Sequence, residues 1–203
     1  MGQRLVIQIE DDHGNRLANA YYHWSAYTGE AAELTNRVLG WLDAADPRLT
    51  EKQKAVWALY KTGARFNDTD RQYLVDEGSE KDYDFAFDEV KANRNSGLLS
   101  ATEKGMDESN ACEECRVTIY PDSKEIYFDT MIEFEVGDYI KMKEEYGEYW
   151  VPVDKMSTLS VSDHFEFSIN KWKEFYSQLM QLLHANALFA ISPDRKRVYE
   201  FIQ

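Results

Sequence analysis

Two thiols, Cys112 and Cys115, stand three residues apart, a spacing from which zinc sites and redox pairs are built. Zinc takes four ligands, so His13, His23, His164, His184 or carboxylates would have to complete the set; no second cysteine pair exists to do so. Redox work needs a stabilised thiolate, and Glu113 and Glu114 between the thiols oppose one. We read the pair first as inert thiols and only weakly as metal ligands, and expect no cofactor. A second grouping is Tyr21, His23 and Ser25, which alternate along one strand face. An i, i+2 pair of His23 as acid or base and Ser25 as assisting hydroxyl can reach one substrate. Such a pair also needs a third group to orient the base, which the sequence does not show, and a face this aromatic more often serves a core or an interface.

The third grouping is the one we weigh most. In a strand over residues 125–136, Ile126, Phe128, Ile132, Phe134 and Val136 take one face, and Glu125, Asp129, Glu133 and Glu135 the other. Same-face residues repeat about every 6.6 Å along a strand, and two base-pair steps of B-DNA advance about 6.8 Å. A carboxylate ladder on this pitch matches phosphate spacing, a form of DNA mimicry. Glu144, Glu145 and Glu148 would widen the patch, with Asp82, Asp84 and Asp88 as further acids from the middle of the chain. The competing account is an ordinary cross-strand charge ladder, in which Lys141 and Lys143 on the next strand neutralise these groups.

Composition bounds what such groups can do. The chain has 203 residues, with 23 basic and 37 acidic side chains and a formal net charge of -14. Residues 1–65 balance at 8 of each sign and residues 150–203 at 6 of each, so the excess lies within 66–149. There, residues 66–92 carry 3 basic and 9 acidic groups, and residues 103–149 carry 5 and 14. This balance argues against direct nucleic-acid binding or attachment to anionic membranes, which need Lys and Arg opposite phosphate. It allows a partner with a basic surface. At 43% hydrophobic and 14% aromatic the chain is too apolar for a disordered acidic tail. No apolar run reaches membrane-span length, and neither a signal-peptide pattern nor a myristoylation signal opens the chain, so we expect a cytoplasmic protein. Phosphate-cradling glycine loops, the His-Glu-x-x-His helix and the Gly-x-Ser-x-Gly elbow are all missing.

Periodicity supplies the elements that must position these residues. Leu5, Ile7 and Ile9 alternate with polar neighbours, and Asp11 to Asn15 has turn chemistry. A return strand over 17–27 would put Ala18, Ala20, Tyr22, Trp24 and Ala26 on one face. A helix follows, with Ala31, Leu34, Val38, Leu39, Trp41 and Leu42 at helical spacing, ended by Pro47. Thr50 and Gln53 form a capping box for a second helix. One or two short helices are expected around 66–93, including 82–91. Residues 93–110 are polar and ambiguous apart from a short strand at 97–101. Strands over 116–120 and 125–136 flank the turn Pro121 to Lys124, with further strands at 139–143 and 149–153. Ser168 caps a helix carrying Trp172 and Tyr176, and a hairpin over 187–202 closes the chain. We expect a single α+β domain over 1–203, with a largely antiparallel sheet and packed helices.

Gly2, Arg4, Gly14, Tyr21, His23, Trp24 and Tyr27 resemble the start of a loose group of small phage and prophage proteins. In these, a strand and a glycine turn lead into a Tyr-x-His-Trp-x-x-Tyr segment. The likeness covers about 30 residues; Ser25-Ala26 stands where that group usually has Asp-Gly, and Thr28 where it often has Pro. It implies a phage or mobile-element origin and, with it, residence in a host cytoplasm. The order of elements is also similar to the start of N-terminal-nucleophile hydrolases, but Gly2 follows Met1 where they expose Ser, Thr or Cys. Two expectations follow. The preferred one is a non-enzymatic inhibitor whose acidic segment docks on the basic surface of a host nucleic-acid-binding or defence protein, of restriction or CRISPR type. The other is an amidohydrolase-type enzyme with His23 in its site. Exposed aromatics leave room for a homodimer without demanding one.

Overall fold

In the computed structural model, residues 4–26, 28–87, 96–129, 165–168, 172–173 and 176–177 are described. The expected hairpin forms: β1 (Leu5–Glu10) and β2 (Arg16–Tyr22) pair antiparallel, with Leu5 opposite Tyr22 and Ile9 opposite Ala18. The Asp11 carboxylate closes the turn by accepting from the backbone N–H groups of His13 and Asn15. α1 (Thr28–Asp43) follows, then α2 (Glu51–Lys61), whose Thr50–Gln53 capping box is complete in both directions. α3 (Asp68–Glu77) runs from an Asn67 cap to Gly78, which takes the left-handed conformation at φ 70°.

Within the stretch read as short helices around 66–93, α3 is followed by a 3-10 helix over Glu80–Ala86, and residues 88–91 of the expected 82–91 helix lie outside the described residues. β3 (Leu98–Ser100) is the short strand read from the sequence. α4 (Glu103–Asn110) occupies the stretch that periodicity leaves ambiguous. β4 (Cys115–Tyr120) and β5 (Glu125–Asp129) flank the expected turn, and β6 (Phe165–Ser168) adds a strand not anticipated there. The strands at 139–143 and 149–153, the continuation of β5 to 136 and the closing hairpin lie outside the described residues. Among those described, no helix is long and apolar enough to cross a membrane.

The strands form one sheet in the order β3-β2-β1-β4-β5-β6, antiparallel except for β1 beside β4. The fold is α+β. The parallel pair needs a crossover, and α4 is its helix: β3 and β4 run the same way with β2 and β1 between them. Register lines up Leu99, Ala20, Ile7 and Val117 in one row and Ala18, Ile9, Ile119 and Ile126 in another. All eight are buried, on the face that packs with Ala55, Val56, Ala58 and Leu59 of α2 and with Trp172. Burying each Ile or Leu side chain contributes about 1.5–3 kcal/mol.

The opposite face is polar yet also buried. It carries Gln8, Asn19, Ser100 and Thr118, with Val6 the apolar exception. α4 lies on this face. Asn19 Nδ2 donates to Met106 O at 3.3 Å and to Asn110 Oδ1 at 3.1 Å, and Asn110 Nδ2 donates to Gln8 Oε1 at 3.0 Å. Gln8 in turn donates to Glu10, which accepts from Tyr120 Oη at 2.9 Å.

Two aromatics depart from the expected inward pattern. β2 ends at Tyr22, so Trp24 escapes the core face and is 48% exposed, while Trp41 on α1 is 36% exposed and stacks edge-on against Trp57.

Gly97 precedes β3 at φ 74°, and a Cβ there would stand 2.5 Å from the Tyr22 ring. Left-handed strain and overpacking add, so Gly97→Ala should cost about 2–4 kcal/mol. Denaturant unfolding of the two proteins measures it.

Candidate functional site

The structure brings Tyr21 and His23 together at the end of β2, with Tyr21 Oη 3.0 Å from His23 Nδ1. The indole of Trp24 stands edge-on to the imidazole at a centroid distance of 4.8 Å. Beside them Arg4 bonds Glu114 through both its backbone N–H and its guanidinium, each at 3.0 Å. Those two bonds, the backbone one first, hold the Glu114 carboxyl below the ordinary carboxylate range. Partial burial pushes the Tyr21 phenol up, against the pull of Arg4. Ser25 is half-buried just past the end of β2.

Cys112 is exposed and Cys115 buried, and no disulfide joins them. Among the described residues no group of three or more His, Cys, Asp or Glu side chains is placed to hold a metal ion.

Among the acids, two kinds contrast. Those of α4 and the segment before β4 are already matched within the chain. Arg16 pairs with Asp107 at 2.7 Å and with Glu103, and Arg116 pairs with Glu113. Glu108 accepts from Tyr73 Oη at 2.7 Å, which raises that phenol to about 12. The second kind runs along the end of α3 and the 3-10 helix. Asp76, Glu77, Glu80, Asp82 and Asp84 are all exposed, and none forms an ion pair among the described residues. The exposed side chain of Val75, 47% accessible, lies on the same stretch.

Of the predicted partner-binding acids, Glu125, Asp82 and Asp84 are exposed and fully described, and Asp129 ends β5. Asp88, Glu133, Glu135, Glu144, Glu145 and Glu148 lie outside the described residues, as do Lys141 and Lys143. The structure does not bring Glu125 to the two aspartates. Glu125 stands opposite Tyr120 in register on the polar face, where Tyr120 Oη donates to Glu10. Asp82 is tied to α2, on the apolar side, by Gln53 Nε2 donating to its carbonyl at 3.0 Å. The 3-10 helix continues from α3, which reaches the β3 edge where Asp70 meets Ser100. β3 and β5 stand four strand spacings apart in the sheet, about 19 Å. The sequence missed the strip over 76–84 as a unit; its signal was there in five acids among nine residues.

No family model, curated protein or solved structure matches this chain.

The inner side of α3 anchors the acidic strip. Asp70, buried on that side, accepts from Ser100 Oγ at 3.0 Å, and Ser100 in turn lies 3.4 Å from Ser109 Oγ on α4. Gly105 makes room for it, since a Cβ there would sit 2.5 Å from Asp70 Oδ1. Burial raises the Asp70 carboxyl from 3.8 to about 6, despite the Ser100 bond. The folded chain therefore holds this proton more tightly than the unfolded one. Its contribution to stability is full below pH 3.8, falls as pH rises through about 6 and is flat above. Asp70→Asn keeps the acceptor for Ser100 and removes the buried charge. At pH 7 it should gain on the order of 2–3 kcal/mol over the parent, with the difference vanishing near pH 4; thermal unfolding of both proteins across that range tests it.

Proposed function

We propose that this chain is a non-enzymatic binding protein whose acidic middle segment docks on the basic, nucleic-acid-binding surface of another protein. The observation that carries this is the run of exposed carboxylates from Asp76 to Asp84, which form no ion pair among the described residues although Lys81 stands among them, whereas the acids of α4 and of the segment before β4 pair with Arg16, Arg116 and Arg4. Unmatched like charges repel one another and cost stability, so their retention favours a use in recognition. Val75 offers apolar contact area beside them. The mechanism is competitive occupation: carboxylates meet the Arg and Lys that would otherwise meet phosphate. The resemblance of the N-terminal segment to phage proteins suits a host defence protein as the target, encountered in the host cytoplasm. Glu125, on the other side of the sheet, is a separate and smaller contact in this account.

The test is capture from host lysate on the immobilised chain, followed by measuring whether the captured protein still binds DNA. Retention should fall about tenfold or more between ~50 and ~300 mM salt. Glu80→Lys with Asp82→Lys and Asp84→Lys should abolish it, while Glu125→Lys weakens it less. Salt-independent capture, or capture that survives the triple reversal, refutes the proposal.

The contact between Tyr21 and His23 favours a second reading, an amidohydrolase-type enzyme in which Tyr21 orients His23 as acid or base. It requires a substrate cavity beside His23; the cleft at the α1–α2 corner, lined by described residues, does not include His23. On this account His23→Ala loses amide-hydrolysing turnover at least about a hundredfold and keeps its unfolding temperature. Turnover that is unchanged, or undetectable in the parent protein, removes the enzyme.

A further inference from the structure

The cleft at the α1–α2 corner is built from the end of α1, the first turn of α2, the start of β2 and the β4–β5 turn, and holds about 220 Å³. Its apolar part is Leu17, Leu39 and Leu42 with Pro121. Around these stand charges of both signs: Asp43, Glu51 and Asp122, with Lys54 and Lys124. None of the five forms an ion pair among the described residues, although all line one opening. Lys124 also holds a left-handed backbone at φ 59°, alone among the non-glycine residues described. Glycine or asparagine takes that conformation without strain, whereas a lysine costs about 1 kcal/mol or more. Strain of this sort concentrates where a side chain has work to do.

We propose that this cleft binds a free α-amino acid with an aliphatic side chain. Lys54 and Lys124 would meet its carboxylate, the three acids its ammonium, and the leucines its side chain. The mixed rim decides the class. A purely anionic ligand meets three carboxylates, a cationic one meets two ammonium groups, and a neutral apolar one pairs with none. A zwitterion with an apolar body satisfies both signs and the floor together. The volume falls below the roughly 300–1,000 Å³ of drug-sized pockets, as suits a small occupant. Nothing here depends on the acidic strip, so the site stands or falls independently of the docking proposal.

The experiment is calorimetric titration of the full chain with L-leucine, run beside L-leucinamide, which lacks the carboxylate, and 4-methylpentanoate, which lacks the ammonium. L-leucine should bind saturably at one site, at least about tenfold tighter than either analogue, a difference of about 1.4 kcal/mol. Lys124→Gly keeps the turn, because glycine accepts the left-handed conformation, and should weaken binding about tenfold. Lys54→Ala should do the same, with unfolding temperatures for both variants within a few degrees of the parent. Absence of saturable L-leucine binding, equal affinity for either analogue, or unchanged affinity in Lys124→Gly overturns the proposal.

Discussion

Placing Gln8 and Asn19 on adjacent central strands obliges the molecule to bring hydrogen-bond partners to the middle of its sheet, since an unmatched buried polar group costs about 1–3 kcal/mol. α4 meets that demand. Asn110 reaches Gln8, and the Asn19 amide nitrogen finds both Met106 O and Asn110 Oδ1, leaving only Asn19 Oδ1 without a partner among the described residues. The apolar face would accept any well-packed helix pair, but this seam accepts a helix in one position and one register. With α4 so placed, β4 is delivered parallel to β1, and Gly105 lets α3 bring Asp70 close. Tyr73 with Glu108, and Lys104 at 4.4 Å from the centre of the Tyr73 ring, then tie α3 to α4.

The same seam sorts the charges. An acid on α4 that faces a neighbouring strand or helix is drawn into service, as Glu103 and Asp107 are by Arg16 and Glu108 is by Tyr73. α3 turns Asp70 and Leu74 inward, so its last turn and the following 3-10 helix present their acids to solvent. The acids of α4 are thus matched within the chain, while those from Asp76 to Asp84 face outward for the docking we propose.

Much of the scaffold is legible before folding because its signals are local. The alternation of Leu5, Ile7 and Ile9, the Asp11 turn, the Thr50–Gln53 box and the Pro121 turn each specify an element within a few residues, and each is present. α4 is not legible because Glu-Lys-Gly-Met-Asp-Glu-Ser-Asn contains one strongly apolar residue, and its buried side works through Gly105, Ser109 and Asn110 instead. Trp24 and Trp41 mislead in the opposite direction. Each is apolar at a position periodicity assigns to the core, yet β2 has already ended before Trp24, and Trp41 finds Trp57 at the surface.

For the candidate sites the division is sharper. Residue types alone settled the charge sign, the segment that carries it and the poverty of metal-ligand spacing, since these depend only on which side chains occur and where along the chain. They could not say that Glu125 and Asp82 fall on opposite sides of one sheet, that Arg16 is already committed to α4, or that five unpaired charges surround a cleft. Those facts belong to contacts between residues dozens of positions apart. Only the pairing of strands and the seat of α4 on the polar face bring such residues together or keep them separate.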